Sequence, residues 1–146
     1  MAPGQSRRRV LQPPPLIGSW APGPEEGESG PVTVSFTELR WRARDGVGMM
    51  LTGLRLRMGW YALPGAVGLW LWALPLQRRS GSISIWTSEE DLRRFVALPA
   101  HVAIMRRYRD RGTLRSTTWR AERFTRGEVL ARARHWIAEP GEMATA

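Results

Sequence analysis

His101 and His135 are the only side chains in this sequence that ordinarily titrate near neutrality. His101 lies two residues after Pro99, in the stretch PAHVAIMRRY. On a helix it shares a face with Ile104, Met105 and Tyr108, at i+3, i+4 and i+7. An apolar face looks inward, so the imidazole is expected to point to the interior. There a neutral ring can ligate a metal, haem iron in particular, or act as a general base. The competing reading is a structural histidine held by a backbone carbonyl, or one exposed at the helix start. Trp70, Trp72, Trp86 and Trp119 all fall on predicted strands and, with Met105 and Tyr108, could line a pocket for a flat ligand. Ordinary packing of those rings is the alternative. Arg115, Arg120 and Arg123 could pair with a carboxylate or a haem propionate, or simply form a solvated strand edge. Glu89, Glu90 and Asp91 resemble a carboxylate cluster, but a first helical turn explains them through capping and the helix dipole. Arg106, Arg107, Arg109 and Arg111 likewise suit a helix C-terminus, and His135, beside Arg134 and Trp136, reads as surface. A glycine-rich phosphate loop, an HExxH motif and a nucleophile triad are all missing from the sequence.

Composition narrows the chemistry further. There is no cysteine, which excludes disulfides, thiolate metal sites, iron–sulfur clusters and a cysteine nucleophile. The lack of cysteine is compatible with a reducing cytoplasm, the expected location. All 22 basic side chains are arginine, so no lysine is present to form a Schiff base. Asparagine is absent too, while Gly, Ala, Pro and Trp are abundant, the bias of GC-rich coding as in many actinobacteria. A net charge of +9 favours anionic contacts. The arginines are spread as pairs rather than as a stripe. A sheet reading RNA would carry an aromatic–basic motif that is missing here, so nucleic acid is not the expected partner.

These residues need a scaffold, and 146 residues leave room for one domain. Residues 1–30 are rich in Pro, Gly, Ser, Glu and Arg and are expected to be a disordered basic tail, with Trp20 as its one large anchor. The domain is expected over 31–138, with a flexible tail at 139–146. Val32, Val34 and Phe36 alternate with Thr33, Ser35 and Thr37, a half-buried strand. Met50, Leu51, Leu54 and Met58 mark the expected buried face of a helix over about 47–61, ended by Leu63-Pro64-Gly65. Residues 66–77 form a strand with apolar side chains on both faces, and Arg78 to Gly81 a hairpin turn into the strand Ser82–Trp86. The uncharged run from Met58 to Leu76 is long enough to span a bilayer, but Pro64, Pro75 and three glycines divide it, so no transmembrane segment is expected. Thr87 with Glu90 and Thr125 with Glu128 are capping-box patterns that begin two helices. The first has Leu92, Phe95 and Val96 as its stripe, restarts at Pro99 and is capped by Gly112. A strand over 113–124 separates it from the last helix, which runs to about Ala138.

The order is β-α-β-β-α-β-α, an α+β ferredoxin-like βαββαβ sandwich with an extra C-terminal helix. With its helices on one side, such a sheet leaves the other face bare. Pairing with a second copy, as a homodimeric α/β barrel, would cover it.

The stretch SISIWTSEEDLRRFVALPAHVAIMRRYRDRGTLRSTTWRAERF, residues 82–124, resembles spheroidene monooxygenase-like and antibiotic-biosynthesis-monooxygenase-like proteins of the dimeric α/β-barrel superfamily. The resemblance rests on a strand ending in Trp86, the capping pattern, Leu-Arg-x-Phe, Pro-x-His and Met-Arg-Arg. It implies a ligand pocket between sheet and helices, holding haem in the spheroidene monooxygenase-like group, with His101 and Trp86 carried over. Cofactor-independent quinone-forming members share an Asn, Trp and His set, which a chain without asparagine cannot supply. The expected function is that of a monooxygenase-like protein acting on an apolar or aromatic small molecule, with either haem or no cofactor. The alternative is a non-catalytic dimeric domain that binds a small molecule.

Overall fold

The computed structural model describes residues 13–139. Six strands and four helices follow one another as β1 (Leu16–Ile17), β2 (Ala21–Pro22), β3 (Val32–Trp41), α1 (Gly46–Gly59), β4 (Ala66–Leu74), β5 (Arg79–Trp86), α2 (Glu89–Ala97), α3 (Pro99–Tyr108), β6 (Gly112–Ala121) and α4 (Arg126–Ala138). The strands form one antiparallel sheet in the order β4-β5-β3-β6, with β1 and β2 both added to the outer edge of β4. The four long strands with α1 and the α2–α3 pair make the ferredoxin-like α+β fold, and α4 is the extra C-terminal helix. Pro99 opens α3 and divides it from α2, because its ring removes an amide donor and holds Leu98 extended.

The two sheet faces differ in chemistry. Strict alternation in β3 and β5 puts Val34, Phe36, Ile83 and Ile85 on one side and Ser35, Thr37, Ser82 and Ser84 on the other. The apolar face, with Trp70, Trp72 and Leu74 of β4, is closed by Val129, Ala133 and Ile137, spaced i, i+4, i+8 along α4. Each such burial contributes about 1.5–3 kcal/mol for a large aliphatic or aromatic side chain. The hydroxyl face lies under α1, α2 and α3, where a smaller core gathers Leu69, Trp60, Trp86 and Leu92. The bare apolar face expected from the sequence is therefore covered by the chain's own last helix, and that argument for pairing two copies falls away.

Several local expectations change. Leu16–Ile17 and Ala21–Pro22, placed in a disordered tail by composition, pair with β4, and Trp20 packs on Trp70 and Phe124 with ring centroids 4.4 and 5.3 Å away. The rest of that tail, residues 1–12, and residues 140–146 lie outside the described residues. The hairpin turn falls at Pro75–Arg78, with Arg78 left-handed (φ 53°), so Arg79 belongs to β5. The cap of α2 is Ser88, whose hydroxyl accepts from the Asp91 amide, while Thr87 donates to the Asp91 carboxylate at 2.8 Å. Gly112 starts β6 rather than capping a helix, because a Cβ there would meet the Arg40 carbonyl. The face of α1 is also reversed. Met49, Thr52, Leu56 and then Trp60 turn inward, while Met50, Leu51, Leu54 and Met58 are exposed. Both sides of that helix are apolar, so periodicity could not choose between them. The Met58–Leu76 run divides into a helix end, a turn and β4, and no helix among the described residues is long and apolar enough to cross a membrane.

Candidate functional site

A groove of about 420 Å³ opens between α1 and α3 on the hydroxyl side of the sheet. Its lining comes from the helices and the turn after α1, with no residue of β3 or β5. Thr52 and Leu56 come from α1, Phe95 from α2, and His101, Ile104 and Tyr108 from α3. The guanidinium-bearing Arg55 and Arg107 also line it, and no carboxylate does.

His101 is half-buried in this groove. Its Nδ1 lies 3.1 Å from the Val96 carbonyl. A carbonyl can only accept, so Nδ1 donates, and the lone pair of the neutral ring is on Nε2. Nε2 has no hydrogen-bond partner among the described residues. Burial lowers the pKa of His101 below its ordinary value of 6.5, against a smaller opposing effect of the Val96 contact. The ring meets Phe95 edge-on at 4.8 Å, and Phe95 meets Trp86 at 5.1 Å, which meets Trp60 at 5.1 Å. An aromatic chain thus leads from the groove to the smaller core. The Trp86 indole donates to Ser84 Oγ, so its polar atom is satisfied within the sheet. The Tyr108 hydroxyl, 3.3 Å from Thr52 Oγ1, ties α3 to α1.

The sequence-predicted site is split by the sheet. His101 and Tyr108 line the groove, and Trp86 lies behind it through Phe95. Met105 lines a neighbouring cavity with Leu39 and Leu114, on the other side of Tyr108. Trp70, Trp72 and Trp119 pack instead on the α4 face, with Trp119 under the Arg132 guanidinium at 4.5 Å. Arg115 pairs in register with Glu38 and faces α4 as well, so it does not stand beside His101. The cause is the two-residue period of strands: a pocket cannot draw on both faces of one sheet. Sequence reasoning missed Phe95, Arg55 and Arg107 as groove residues. The three-residue steps His101, Ile104, Arg107 carried the signal for Arg107, which its place in a basic helix end obscured. Among the described residues no group of three or more His, Cys, Asp or Glu could hold a metal. A metal at His101 would therefore have to be one needing a single protein ligand, as haem iron does. The residues fit such a group in two respects: Nε2 is free with Nδ1 anchored, and Arg55 and Arg107 offer cations for propionates.

No protein-family profile and no curated protein matches this sequence. Solved structures do. SnoaB, a cofactor-independent oxygenase from Streptomyces nogalater, is 18% identical, with 66% of this chain and 96% of that one covered and a TM-score of 0.53. A haem-degrading enzyme from Listeria monocytogenes is 15% identical over 70% of this chain and 68% of its own, at a TM-score of 0.56. A ferredoxin-fold protein related to antibiotic-biosynthesis monooxygenases, also from Listeria monocytogenes, is 18% identical over 63% of this chain and 57% of its own, at a TM-score of 0.51. The match to a chain from Lactobacillus acidophilus spans only 50% of that chain's length. Identities this low speak to architecture, and the protein shares the ferredoxin-like α+β fold of antibiotic-biosynthesis-monooxygenase-like proteins.

Proposed function

We propose that this protein is a monooxygenase-like enzyme that takes an apolar or aromatic small molecule into the groove between α1 and α3. The observation that carries the reading is His101, held by the Val96 carbonyl with a free Nε2 and a lowered pKa. Phe95, Leu56 and Ile104 offer an apolar bed for the substrate body. Without a cofactor, the neutral Nε2 would accept a proton from an activated C–H or O–H of the substrate. Arg55 and Arg107 stabilise the negative charge left behind, and the absence of a carboxylate in the groove keeps that charge unopposed. The cofactor we propose is haem, with His101 as its protein ligand and Arg55 and Arg107, rather than Arg115, facing its propionates. When bound, haem would supply the redox chemistry that these side chains lack. In that case His101 acts as ligand and not as base.

A second reading has support of its own. His101 is the only imidazole or carboxylate lining the groove, which suits a domain that binds a small molecule without turning it over.

Haemin titration of the protein, followed at the Soret band beside His101→Ala, tests the proposal. A saturable stoichiometric shift that the variant loses, with its circular dichroism unchanged, is expected. A shift identical in the variant removes His101 as ligand. No shift leaves the cofactor-free and binding-only readings, which turnover of an aromatic substrate under dioxygen then separates.

A further inference from the structure

Helix α1 carries an outward surface that the groove does not use. Val47, Met50, Leu51, Leu54 and Met58, continued by Tyr61 in the following turn, each leave between 46% and 73% of their surface in solvent. Successive helical residues are set about 100° apart, so these side chains fall within an arc of about 100° on one side of the helix. On the same count Arg57, half-buried with its guanidinium donating to Ser19 Oγ at 2.8 Å, sits at one margin and exposed Arg55 at the other. Across the sheet edge, exposed Leu16 of β1 shares a second apolar hollow with Met50 and Leu54. A soluble surface rarely gathers this many large apolar groups without a partner for them.

The surrounding charge identifies the partner. No acidic residue occurs in the chain between Asp45 and Glu89, a span that includes all of α1, β4 and β5; within it Arg79 is buried against Glu38, which leaves Arg55, Arg57 and Arg78 as its cations toward solvent. An apolar stripe with arginine on both margins matches an anionic lipid surface. The apolar side chains enter the acyl boundary and the guanidinium groups meet phosphate. A second copy of the chain matches it poorly, since apposing two stripes would bring arginine margins together with no carboxylate on α1 to pair them.

We propose that α1 is an interfacial membrane helix: it lies in the plane of an anionic bilayer through Met50, Leu51, Leu54 and Met58, with Arg55 and Arg57 on lipid phosphates. The helix does not cross the bilayer. Arg55 also lines the His101 groove, so an apolar ligand dissolved in the lipid would leave it beside the groove mouth. The membrane proposal does not depend on any reaction at His101.

Co-sedimentation with phosphatidylglycerol–phosphatidylcholine vesicles, against phosphatidylcholine vesicles alone, tests it on the full chain. Binding to the anionic vesicles alone is expected, falling as salt is raised. Leu54→Glu with Met58→Glu should weaken it about tenfold or more, and Arg55→Gln with Arg57→Gln should weaken it and flatten its salt dependence. The glutamate pair changes exposed residues, so its melting curve should match the wild type; the arginine pair also removes the Arg57–Ser19 hydrogen bond, and its melting curve is compared to show that it folds. Failure to bind anionic vesicles overturns the proposal, as does equal binding to both vesicle types. A dimer in sedimentation equilibrium that the glutamate pair abolishes, without vesicle binding, assigns the stripe to a second copy instead and likewise overturns it.

Discussion

At the scale of a residue, the contrast between His101 and Arg115 shows what a sequence can place. His101 was identified from its neighbours on one helix face, and α3 does bring it to a groove with Ile104 and Tyr108. Arg115 was chosen by residue type alone, and strand alternation turns it to the opposite face of the sheet. The sequence also allows a backbone carbonyl to hold the ring, and the structure supplies that of Val96. It orients the ring and, by engaging Nδ1, fixes which nitrogen is left free. A pH consequence follows. Burial disfavours the imidazolium in the fold, so His101 is neutral in folded and unfolded chains above 6.5. Its contribution to stability is complete there and is lost as pH falls through the lowered folded-state value. A reaction using Nε2 as base should hold its rate at pH 6.5, the ordinary histidine value, and fall only below it. A profile of rate against pH with its acid limb above that value would contradict the assignment.

At the scale of elements, alternation was more legible than helical period. The Val/Thr and Ile/Ser patterns of β3 and β5 gave both faces of each strand correctly, because a strand offers only two. Helix α1 did not reveal its buried side, because apolar residues surround it and only contacts with β4 and Trp60 select Met49, Thr52 and Leu56. The strands Leu16–Ile17 and Ala21–Pro22 were hidden for another reason: two residues are too few to show a period, and the edge of β4 supplies their order. The ionic tie across β3, β5 and α4 also escaped the pattern. Glu38 and Arg79, 1% and 4% exposed at their side chains, form a buried pair, and Arg79 donates to the Ile137 carbonyl at 2.7 Å. Removing one partner leaves the other charge buried. Glu38→Gln should therefore cost about 3–5 kcal/mol in urea denaturation. An unchanged midpoint would mean that water reaches Arg79 once its partner is gone.

At the scale of the molecule, α4 decides what the sheet offers to solvent. Without it, Val34, Phe36, Ile83, Ile85, Trp70 and Trp72 would form an open apolar face. A chain ended after Phe124 should therefore self-associate in sedimentation velocity, whereas the full chain should not do so through this surface. A monomeric, folded truncation would show that α4 is not needed to shield it. The sheet that divides the two cores also has a consequence over generations. Residues on opposite faces share few contacts, so the effects of changing them should combine additively. Most of the tight packing lies on the α4 side and the groove on the other. Descendants of this chain can thus exchange groove residues and explore new ligands while the packing that keeps them folded is inherited intact.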